Sequence, residues 1–256
     1  MQPERAPLVL LHGWGMHGGV FAPLAEALRQ LGWEVQTPDL PGHGRRAAEY
    51  FADLDTLCQA VAEALPPRCI LGGWSLGGLV ALRLAHTLGA RIEGLLLLHA
   101  TPCFPATDDW PHGMDRATLQ AFSEALAQSP TGTFERFLAL QARGDGAPRD
   151  TLRWLREVAA TSGTPEPAAL AAGLRVLAAT DLRGFVTGIR QPSLVVGGEG
   201  DGLTPAEASR WLAAQLPSAR LALLAGAGHT GALRRAEEVA ALVDRSLVAG
   251  PAGVAA

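Results

Sequence analysis

The chain has 256 residues, of which 48% are hydrophobic and 18% are charged, and its formal net charge is −4. This composition excludes a disordered chain, and the length is sufficient for one large α/β domain with a sizeable core. The mild acidity gives no reason to expect binding to nucleic acid or to an anionic membrane. All 21 basic residues are arginines, which excludes a P-loop lysine and a lysine Schiff base.

The cysteines and the N-terminal residues bear on the cellular compartment. Cys58, Cys69 and Cys103 match no zinc or redox spacing, and a small, odd number of cysteines is typical of a reducing compartment. The first residues do not resemble a signal peptide, and no apolar run approaches the roughly 18 residues that span a bilayer. We therefore expect a cytoplasmic protein.

Strand and helix signals alternate along the first hundred residues, bounded by glycine and proline. The predicted strands are Leu8–Leu11, Glu34–Thr37, Cys69–Leu71 and Ile92–His99, and the predicted helices are Phe21–Leu31, Leu54–Leu65 and Leu76–Leu88. This alternation predicts an α/β fold with a mostly parallel central sheet and helices on both faces.

The alternation stops between about residues 102 and 182, where only helical patterns occur. These cover Leu119–Ala127, Phe134–Ala142, Thr151–Ala160 and Ala168–Ala178, separated by prolines. The alternation then resumes, with strands at Ser193–Val196 and Arg220–Leu224 and helices at Pro205–Leu216 and Arg234–Val248. We therefore predict a single domain over residues 1–256 with an inserted all-helical lid at about 102–182.

The segment Gly73-Trp-Ser-Leu-Gly77 matches the pattern G-x-S-x-G between a predicted strand and a predicted helix. That context is typical of a nucleophile elbow, in which small neighbours allow the strand and helix to approach closely. Ser75 is therefore the candidate nucleophile. The alternative is a glycine-rich turn that carries an incidental serine.

A serine nucleophile needs a base and an orienting carboxylate. Among seven histidines, His229 follows the last predicted strand in a glycine-rich loop, at the edge where sites of open α/β folds gather. His99, at the end of a strand, is better explained as a hydrogen-bonded structural histidine. Asp201 follows the preceding strand between two glycines, and Glu199 is its near rival. The order Ser75, Asp201, His229 is that expected of an α/β-hydrolase triad.

Two backbone N–H groups are needed to stabilise an oxyanion. One is expected from Leu76, directly after the nucleophile, and the other from Trp14, in the loop after the first strand. The indole of Trp14 is also expected to form a wall of the acyl pocket. The alternative for Trp14 is a core residue beside a structural turn.

These motifs together resemble the α/β-hydrolase superfamily and, within it, the family of pimeloyl-[acyl-carrier protein] methyl ester esterases of biotin synthesis. The matching stretches run from near the first residue to about His229. They include Leu8-Val-Leu-Leu-His-Gly-Trp-Gly15, Gly73-Trp-Ser-Leu-Gly-Gly-Leu-Val80, Thr101-Pro-Cys-Phe104, Glu135-Arg-Phe-Leu-Ala-Leu-Gln141 and Asp201-Gly-Leu203.

The resemblance implies a serine esterase that needs no cofactor or metal and acts on a pimeloyl methyl ester carried by acyl-carrier protein. It implies substrate contacts at Trp14, Ser75, Leu76, Phe137, Leu138, Ala139, Leu140, Gln141 and His229. It also implies a basic lid that docks the acidic carrier, with Arg136, Arg149 and Arg153 at the matching positions. A fourth arginine of the family is replaced by Gly132, for which Arg143 or Arg156 could compensate. We expect a monomer.

Two further departures from the family concern other segments. The family usually has an edge strand ahead of its first motif, whereas Leu8 stands close to the first residue of this sequence. The segment after His229 is less apolar than in the family, which bears on substrate selectivity and not on the triad.

Four alternatives remain open at this point. The same triad serves a general short-chain carboxylesterase or a lactonase. A hydrolase fold can also serve as a binding protein whose triad is inactive, and the lid arginines can belong to a solvated helical face. The apolar residues of Phe137–Leu140 can equally be ordinary packing between helix and sheet. A carboxylate nucleophile, as in dehalogenation, is disfavoured because the elbow carries Ser75.

Overall fold

The computed structural model describes residues 5–163 and 165–247, and within them six parallel strands form one sheet. The strands are β1 (Leu8–Leu11), β2 (Val35–Gln36), β3 (Cys69–Trp74), β4 (Ile92–Leu98), β5 (Ser193–Gly198) and β6 (Ala219–Leu224). Their order across the sheet is β2-β1-β3-β4-β5-β6. The predicted α/β fold with a parallel sheet is therefore confirmed, and every strand pair in it is parallel.

The register of the central strands places their carboxyl ends side by side. Trp74 of β3 lies opposite Leu98 of β4, and Leu98 lies opposite Val196 of β5. Residues that follow these strands therefore emerge at one edge of the sheet. The order of strands also reverses between β1 and β3, which is the position where open α/β sheets bind their ligands.

Ten α-helices accompany the sheet in the described residues. They are α1 (Ala22–Gln30), α2 (Leu54–Ala64), α3 (Leu76–Leu88), α4 (Arg116–Gln128), α5 (Pro130–Gln141), α6 (Pro148–Ala160), α7 (Pro167–Ala179), α8 (Ala206–Gln215), α9 (Gly231–Arg234) and α10 (Ala236–Leu247). Helix α1 packs against α10, and α2 packs against α3. Strands β1, β3 and β5 are completely buried, as expected of a parallel sheet covered on both faces, whereas the edge strand β6 is partly exposed.

Helices α4 to α7 lie between β4 and β5 and correspond to the predicted insertion. Three of them begin at a proline, Pro130, Pro148 or Pro167, at the first or second helical position. The sequence prediction started each of these helices one to four residues too late, because it treated the prolines as breaks. A proline is tolerated at the first position because the N–H that it lacks would have no partner within the helix.

Other boundaries also differ from the prediction, and two of them bear on the loops described below. The last predicted helix is divided at Arg235 into α9 and α10, and its predicted end, Val248, lies outside the described residues. The strand predicted at Cys69–Leu71 continues to Trp74, directly before the elbow.

Buried residues of the inserted helices, including Phe137 and Leu170, belong to the same hydrophobic core as the sheet. Among the described residues, no helix is long and apolar enough to cross a membrane.

Candidate active site

Ser75 occupies a strained turn between β3 and α3. Its backbone has φ 55° and ψ −116°, in a region that residues other than glycine rarely adopt. A Cβ atom on Gly73 would lie 2.1 Å from the carbonyl oxygen of Gly77, and one on Gly77 would lie 2.1 Å from that of Leu11. The glycines of the motif are therefore required by close contacts of the backbone, as a nucleophile elbow demands.

Asp201 and His229 are brought together by two loops at the same edge of the sheet. The Nδ1 atom of His229 lies 2.9 Å from Oδ2 and 3.1 Å from Oδ1 of Asp201. Both side chains are almost completely buried. A buried carboxylate bonded to Nδ1 favours the tautomer that leaves Nε2 free to accept a proton, which is the arrangement of a general base.

The Asp201 carboxylate is held by its own turn as well as by His229. Oδ1 accepts hydrogen bonds from the backbone N–H groups of Leu203 and Thr204, each at 2.9 Å, and Oδ2 accepts one from the Thr204 hydroxyl at 2.7 Å. Burial opposes the charged form, but the charge of His229 and the hydrogen bonds from His229 and His99 outweigh it. Together they hold the pKa of the Asp201 carboxyl well below its usual range.

No hydrogen bond joins Ser75 to His229 among the described residues, but the segments that carry them are joined by Trp74. The Nε2 atom of His229 is buried and has no hydrogen-bond partner among the described residues. The indole N–H of Trp74, directly before Ser75, donates to the backbone oxygen of His229 at 2.9 Å. This bond ties the elbow to the histidine loop. Contacts between nucleophile and base are often looser before substrate binds.

The two predicted oxyanion donors border the same turn. A Cβ atom on Gly13 would lie 3.3 Å from the Cβ of Ser75, which places the loop after β1 directly beside the nucleophile. Neither Trp14 nor Leu76 donates its backbone N–H to another group within residues 5–163 and 165–247. Both N–H groups therefore remain available to a ligand.

The Trp14 side chain joins the loop after β1 to the inserted helices. Its indole N–H donates to the backbone oxygen of Leu170 in α7 at 2.8 Å, and its ring packs against Phe137 of α5 with centroids 4.6 Å apart. Gln141, one turn further along α5, is buried, and neither atom of its amide has a hydrogen-bond partner among the described residues. An unpartnered buried amide is costly to a protein, so a water molecule or a ligand is expected to bond it.

Other members of the predicted substrate segment differ in position. Leu138 is fully buried in the core, Leu140 is half-buried, and Ala139 is exposed. The structure therefore does not bring Ala139 together with Phe137 and Gln141. Its assignment as a substrate contact stays a prediction.

The predicted docking arginines lie on the outer surface of the inserted helices. Arg136 on α5 and Arg149 and Arg153 on α6 are all exposed. Arg153 pairs with Asp150, one turn earlier, at 2.7 Å. Of the two arginines that could compensate for Gly132, Arg156 pairs with Glu135 across the two helices at 2.9 Å.

The sequence analysis missed Asp145, in the loop between α5 and α6. One of its carboxylate oxygens accepts the backbone N–H of Gly228 at 2.6 Å, and the other accepts the hydroxyl of Thr230. Asp145 therefore holds the residues on both sides of His229. Its flanking glycines are a signal that could have found it, because the same Gly-Asp-Gly pattern surrounds Asp201.

The two Gly-Asp-Gly turns are packed directly against each other. A Cβ atom on Gly144 would lie 1.9 Å from the backbone oxygen of Gly200, and one on Gly200 would lie 2.7 Å from that of Gly144. A Cβ on Gly228, before His229, would lie 2.2 Å from the oxygen of Arg143. The α5–α6 loop thus forms part of the active-site wall.

Three of the buried side chains could hold a metal ion by distance alone. Potential ligand atoms of His99, Asp201 and His229 lie within 4.8 Å of one another. However, Nε2 of His99 accepts the backbone N–H of Ala232 at 3.0 Å, so its Nδ1 carries a proton. A protonated Nδ1 has no lone pair to give a metal, and the cluster is a hydrogen-bond network instead.

Comparison with known proteins places this arrangement in a family. The family model described as "Alpha/beta hydrolase family" matches residues 8–242. A pimeloyl-[acyl-carrier protein] methyl ester esterase from Nitrosomonas europaea is 41% identical over 237 residues, covering 93% of this chain and 94% of the relative. The esterase of that name from Xylella fastidiosa is 42% identical over 247 residues, covering 95% and 96%.

Solved structures agree on the fold. An esterase from Exiguobacterium antarcticum has a TM-score of 0.85 at 22% identity and covers 95% of this chain and 92% of its own. An enol-lactonase from Burkholderia xenovorans has a TM-score of 0.82 at 22% identity, covering 97% and 94%. This chain therefore belongs to the alpha/beta hydrolase family, in which its curated relatives are methyl ester esterases.

Proposed function

We propose that this protein is a serine carboxylesterase that hydrolyses the methyl ester of pimeloyl-[acyl-carrier protein] to free pimeloyl-[acyl-carrier protein] and methanol. The observation that carries the proposal is the buried Asp201–His229 pair beside the strained Ser75, at the carboxyl edge of the sheet. The substrate is inferred from relatives of that name, which are 41% and 42% identical over almost the whole chain.

The chemistry follows from the positions of these groups. The Ser75 hydroxyl attacks the ester carbonyl carbon while Nε2 of His229 accepts its proton, and Asp201 stabilises the imidazolium that forms. The N–H groups of Trp14 and Leu76 bind the oxyanion of the tetrahedral intermediate. When that intermediate collapses, the bond to the methoxy oxygen breaks, and His229 returns the proton so that methanol leaves.

The second half of the reaction regenerates the enzyme. Water attacks the acyl–Ser75 ester while His229 again accepts a proton, and collapse of the second tetrahedral intermediate returns that proton to the Ser75 oxygen. The product is the free pimeloyl carboxylate, still attached to its carrier. The residues named here supply every acid–base and electrostatic role that these steps need.

The inserted helices support an acyl pocket close to the nucleophile. Trp14 presents an oxyanion donor and at the same time packs on Phe137, so one residue connects the reacting carbonyl to the lid. The unpartnered amide of Gln141 lies one helical turn from Phe137 and supplies a donor and an acceptor for a polar group of the substrate. We propose these two α5 side chains as substrate contacts.

The outer face of the lid supports recognition of an acidic carrier. The exposed arginines Arg136, Arg149 and Arg153 lie on two neighbouring helices, and Arg149 and Arg153 are four residues apart on one helix face. Although the protein is net acidic, this surface therefore offers positive charge that steers an acidic partner. We propose that the carrier docks here while its acyl chain reaches Ser75.

The decisive experiment compares hydrolysis of the carrier-bound methyl ester with hydrolysis of p-nitrophenyl acetate. The Ser75→Ala variant should lose about 10³-fold or more of its kcat on both esters, because the triad acts as a unit. Activity of Ser75→Ala within a few-fold of wild type would refute the proposed chemistry. If the wild-type protein hydrolysed p-nitrophenyl acetate but not the carrier-bound ester, it would be a general carboxylesterase and the proposed substrate would be refuted.

A triple variant tests the docking surface. Replacing Arg136, Arg149 and Arg153 by alanine should raise KM for the carrier-bound ester, so that its kcat/KM falls relative to that of the small ester. The matched control removes three exposed arginines outside the lid, Arg190, Arg210 and Arg220. Equal effects of both triple variants, or an equal loss on both esters, would refute docking at the lid.

A further inference from the structure

A second histidine donates to the carboxylate that orients His229. Nδ1 of His99, directly after β4, lies 2.9 Å from Oδ2 of Asp201, the oxygen that also lies 2.9 Å from Nδ1 of His229. The side chains of His99 and Asp201 are completely buried. The imidazole rings of the two histidines lie edge to face, with centroids 5.7 Å apart. One carboxylate oxygen is thus shared by two imidazoles.

The backbone fixes which nitrogen of His99 carries the proton. The N–H of Ala232, in α9 just after His229, points at Nε2 of His99 from 3.0 Å. A backbone N–H can only donate, so Nε2 must be unprotonated and Nδ1 must carry the hydrogen of the neutral ring. His99 can therefore act only as a donor to Asp201. Through its two ring nitrogens it connects Asp201 to helix α9, which follows His229.

The backbone of His99 is itself unusual. Its φ of 45° makes it, with Ser75, one of two residues other than glycine with positive φ in the described part of the chain. The Thr204 hydroxyl lies 2.7 Å from Oδ2 of Asp201 and 3.1 Å from the carbonyl oxygen of His99, so its single hydrogen faces both acceptors. Left-handed backbone at a non-glycine residue persists where surrounding contacts hold it, and it concentrates at functional sites. Here it directs the ring towards Asp201.

We propose that His99 is a positioning residue of the ester hydrolysis, which holds the Asp201 carboxylate as an anion in one orientation and shares its charge with His229. The proposal rests on the serine–histidine chemistry proposed above but not on the identity of the ester. With His99 in place, Asp201 cannot rotate away from His229 without leaving a buried imidazole N–H unpaired, which is costly. His99 touches no reacting atom in this scheme.

Charge sharing predicts a direction for the pH dependence. The titratable groups that face His229 are Asp201 from the turn after β5, His99 from the end of β4, and Asp145, which bonds the neighbours of His229 from the α5–α6 loop. Donation by His99 spreads the negative charge of Asp201 and weakens its pull on the imidazolium of His229. Removing that donor should therefore stabilise the imidazolium, so that activity is lost at a higher pH when the solution is acidified.

Two nearly isosteric substitutions separate the donor from the shape of the side chain. His99→Asn keeps an N–H donor near the position of Nδ1, and asparagine tolerates the left-handed backbone. His99→Leu has a similar shape but no donor. A third variant, His99→Gly, also has no donor and relieves the backbone strain, so it shows whether strain in His99→Leu causes any loss.

On p-nitrophenyl acetate we expect His99→Asn to keep kcat within about threefold of wild type, since a retained hydrogen bond preserves the network. His99→Leu and His99→Gly should each lose kcat by about tenfold or more with little change in KM. The acidic limb of their kcat/KM profiles should move to higher pH. The proposal would be overturned if His99→Leu and His99→Gly both kept the wild-type kcat and the wild-type acidic limb of the kcat/KM profile. Equal losses of kcat in all three variants would also overturn it.

A measurement on the wild-type protein keeps the test independent of variant folding. Histidine labelled with ¹⁵N reports by NMR which ring nitrogen carries the proton, and His99→Asn assigns the signal. We expect the proton on Nδ1 of His99 and none on Nε2, because the N–H of Ala232 donates to Nε2. A proton on Nε2 would overturn the proposal even if Ser75→Ala confirms the nucleophile, whereas full activity of Ser75→Ala would refute the proposed chemistry itself.

Discussion

Replacing Asp201 by asparagine tests the network around the predicted triad in a way that the structure specifies atom by atom. Oδ1 accepts two backbone N–H groups that cannot turn away, at 2.9 Å each, so the amide oxygen of the introduced side chain must take that place. The new NH₂ group then takes the place of Oδ2 and faces three donors, from Thr204, His99 and His229. The Thr204 hydroxyl can rotate, but His99 is locked by Ala232.

At the Oδ2 position, which is the shorter of its two contacts with Asp201, His229 can then bond the new amide nitrogen only by moving its proton from Nδ1 to Nε2, and the longer contact of 3.1 Å to the retained oxygen is all that holds the original tautomer. The tautomer with the proton on Nε2 presents an N–H to Ser75 where the reaction needs an acceptor, and the corresponding change in a serine protease triad lowers kcat by about 10⁴-fold. We expect a loss of that order for Asp201→Asn. The control is Glu199→Gln, because Glu199 is exposed on the same turn and should leave kcat unchanged.

The assay is steady-state hydrolysis of p-nitrophenyl acetate, with circular dichroism to verify folding. Retention of more than about a tenth of the wild-type kcat by Asp201→Asn would refute the tautomer argument. A large loss in Glu199→Gln would instead transfer the orienting role to the rival carboxylate.

Two further predictions concern the loop after α5 and the behaviour in acid. Asp145→Ala should lower the free energy of unfolding by about 1–2 kcal/mol and kcat by about tenfold, because two hydrogen bonds beside His229 are lost. The control is Asp150→Ala, which removes an exposed ion pair on α6 and should change neither the free energy of unfolding, measured by urea titration, nor kcat on the small ester. Equal effects of the two substitutions would contradict the role of Asp145 beside His229. Burial and the neighbouring His43 lower the pKa of His12 from 6.5 to about 3, and burial also lowers the pKa of His43. The folded protein therefore takes up these protons less readily than the unfolded chain, so stability is complete above about pH 6.5 and falls towards pH 3. From pH 6.5 to 5.0 the free energy of unfolding should fall by about 2 kcal/mol because of His12 alone, and His43 should lower it further. A urea unfolding midpoint that stays the same over this pH range would contradict the prediction.

Features encoded in local patterns could be predicted from the sequence. Strand–helix alternation predicts the parallel sheet. The glycines around Ser75 predict an elbow, because only a residue without a side chain fits the close backbone contacts of that turn. The positions of Asp201 and His229 follow from a topological rule, since residues after parallel strands meet at one edge of the sheet. The same rule, applied to the end of β4, would have placed His99 beside them.

Contacts between distant segments could not be predicted in this way. Asp145 is separated by 83 residues from Gly228, and no periodicity links the two. The bond from Trp14 to Leu170 spans 156 residues and depends on how the inserted helices settle on the sheet. Such contacts depend on how the whole chain packs. Sequence patterns therefore predict the helices of the lid but not the residues through which the lid bonds to the rest of the chain.

The abutting Gly-Asp-Gly turns have a consequence for engineering. A chimera that takes residues 102–182 from another hydrolase would also replace the loop whose Asp145 holds the residues on both sides of His229, the proposed base. Such a graft would alter turnover as well as substrate choice, unless the donor segment brings an acidic residue at position 145 and glycine at position 144 to fit against Gly200. Because Thr230 supplies the hydroxyl that meets this acid, the donor loop and the host residue would have to be exchanged as a matched pair.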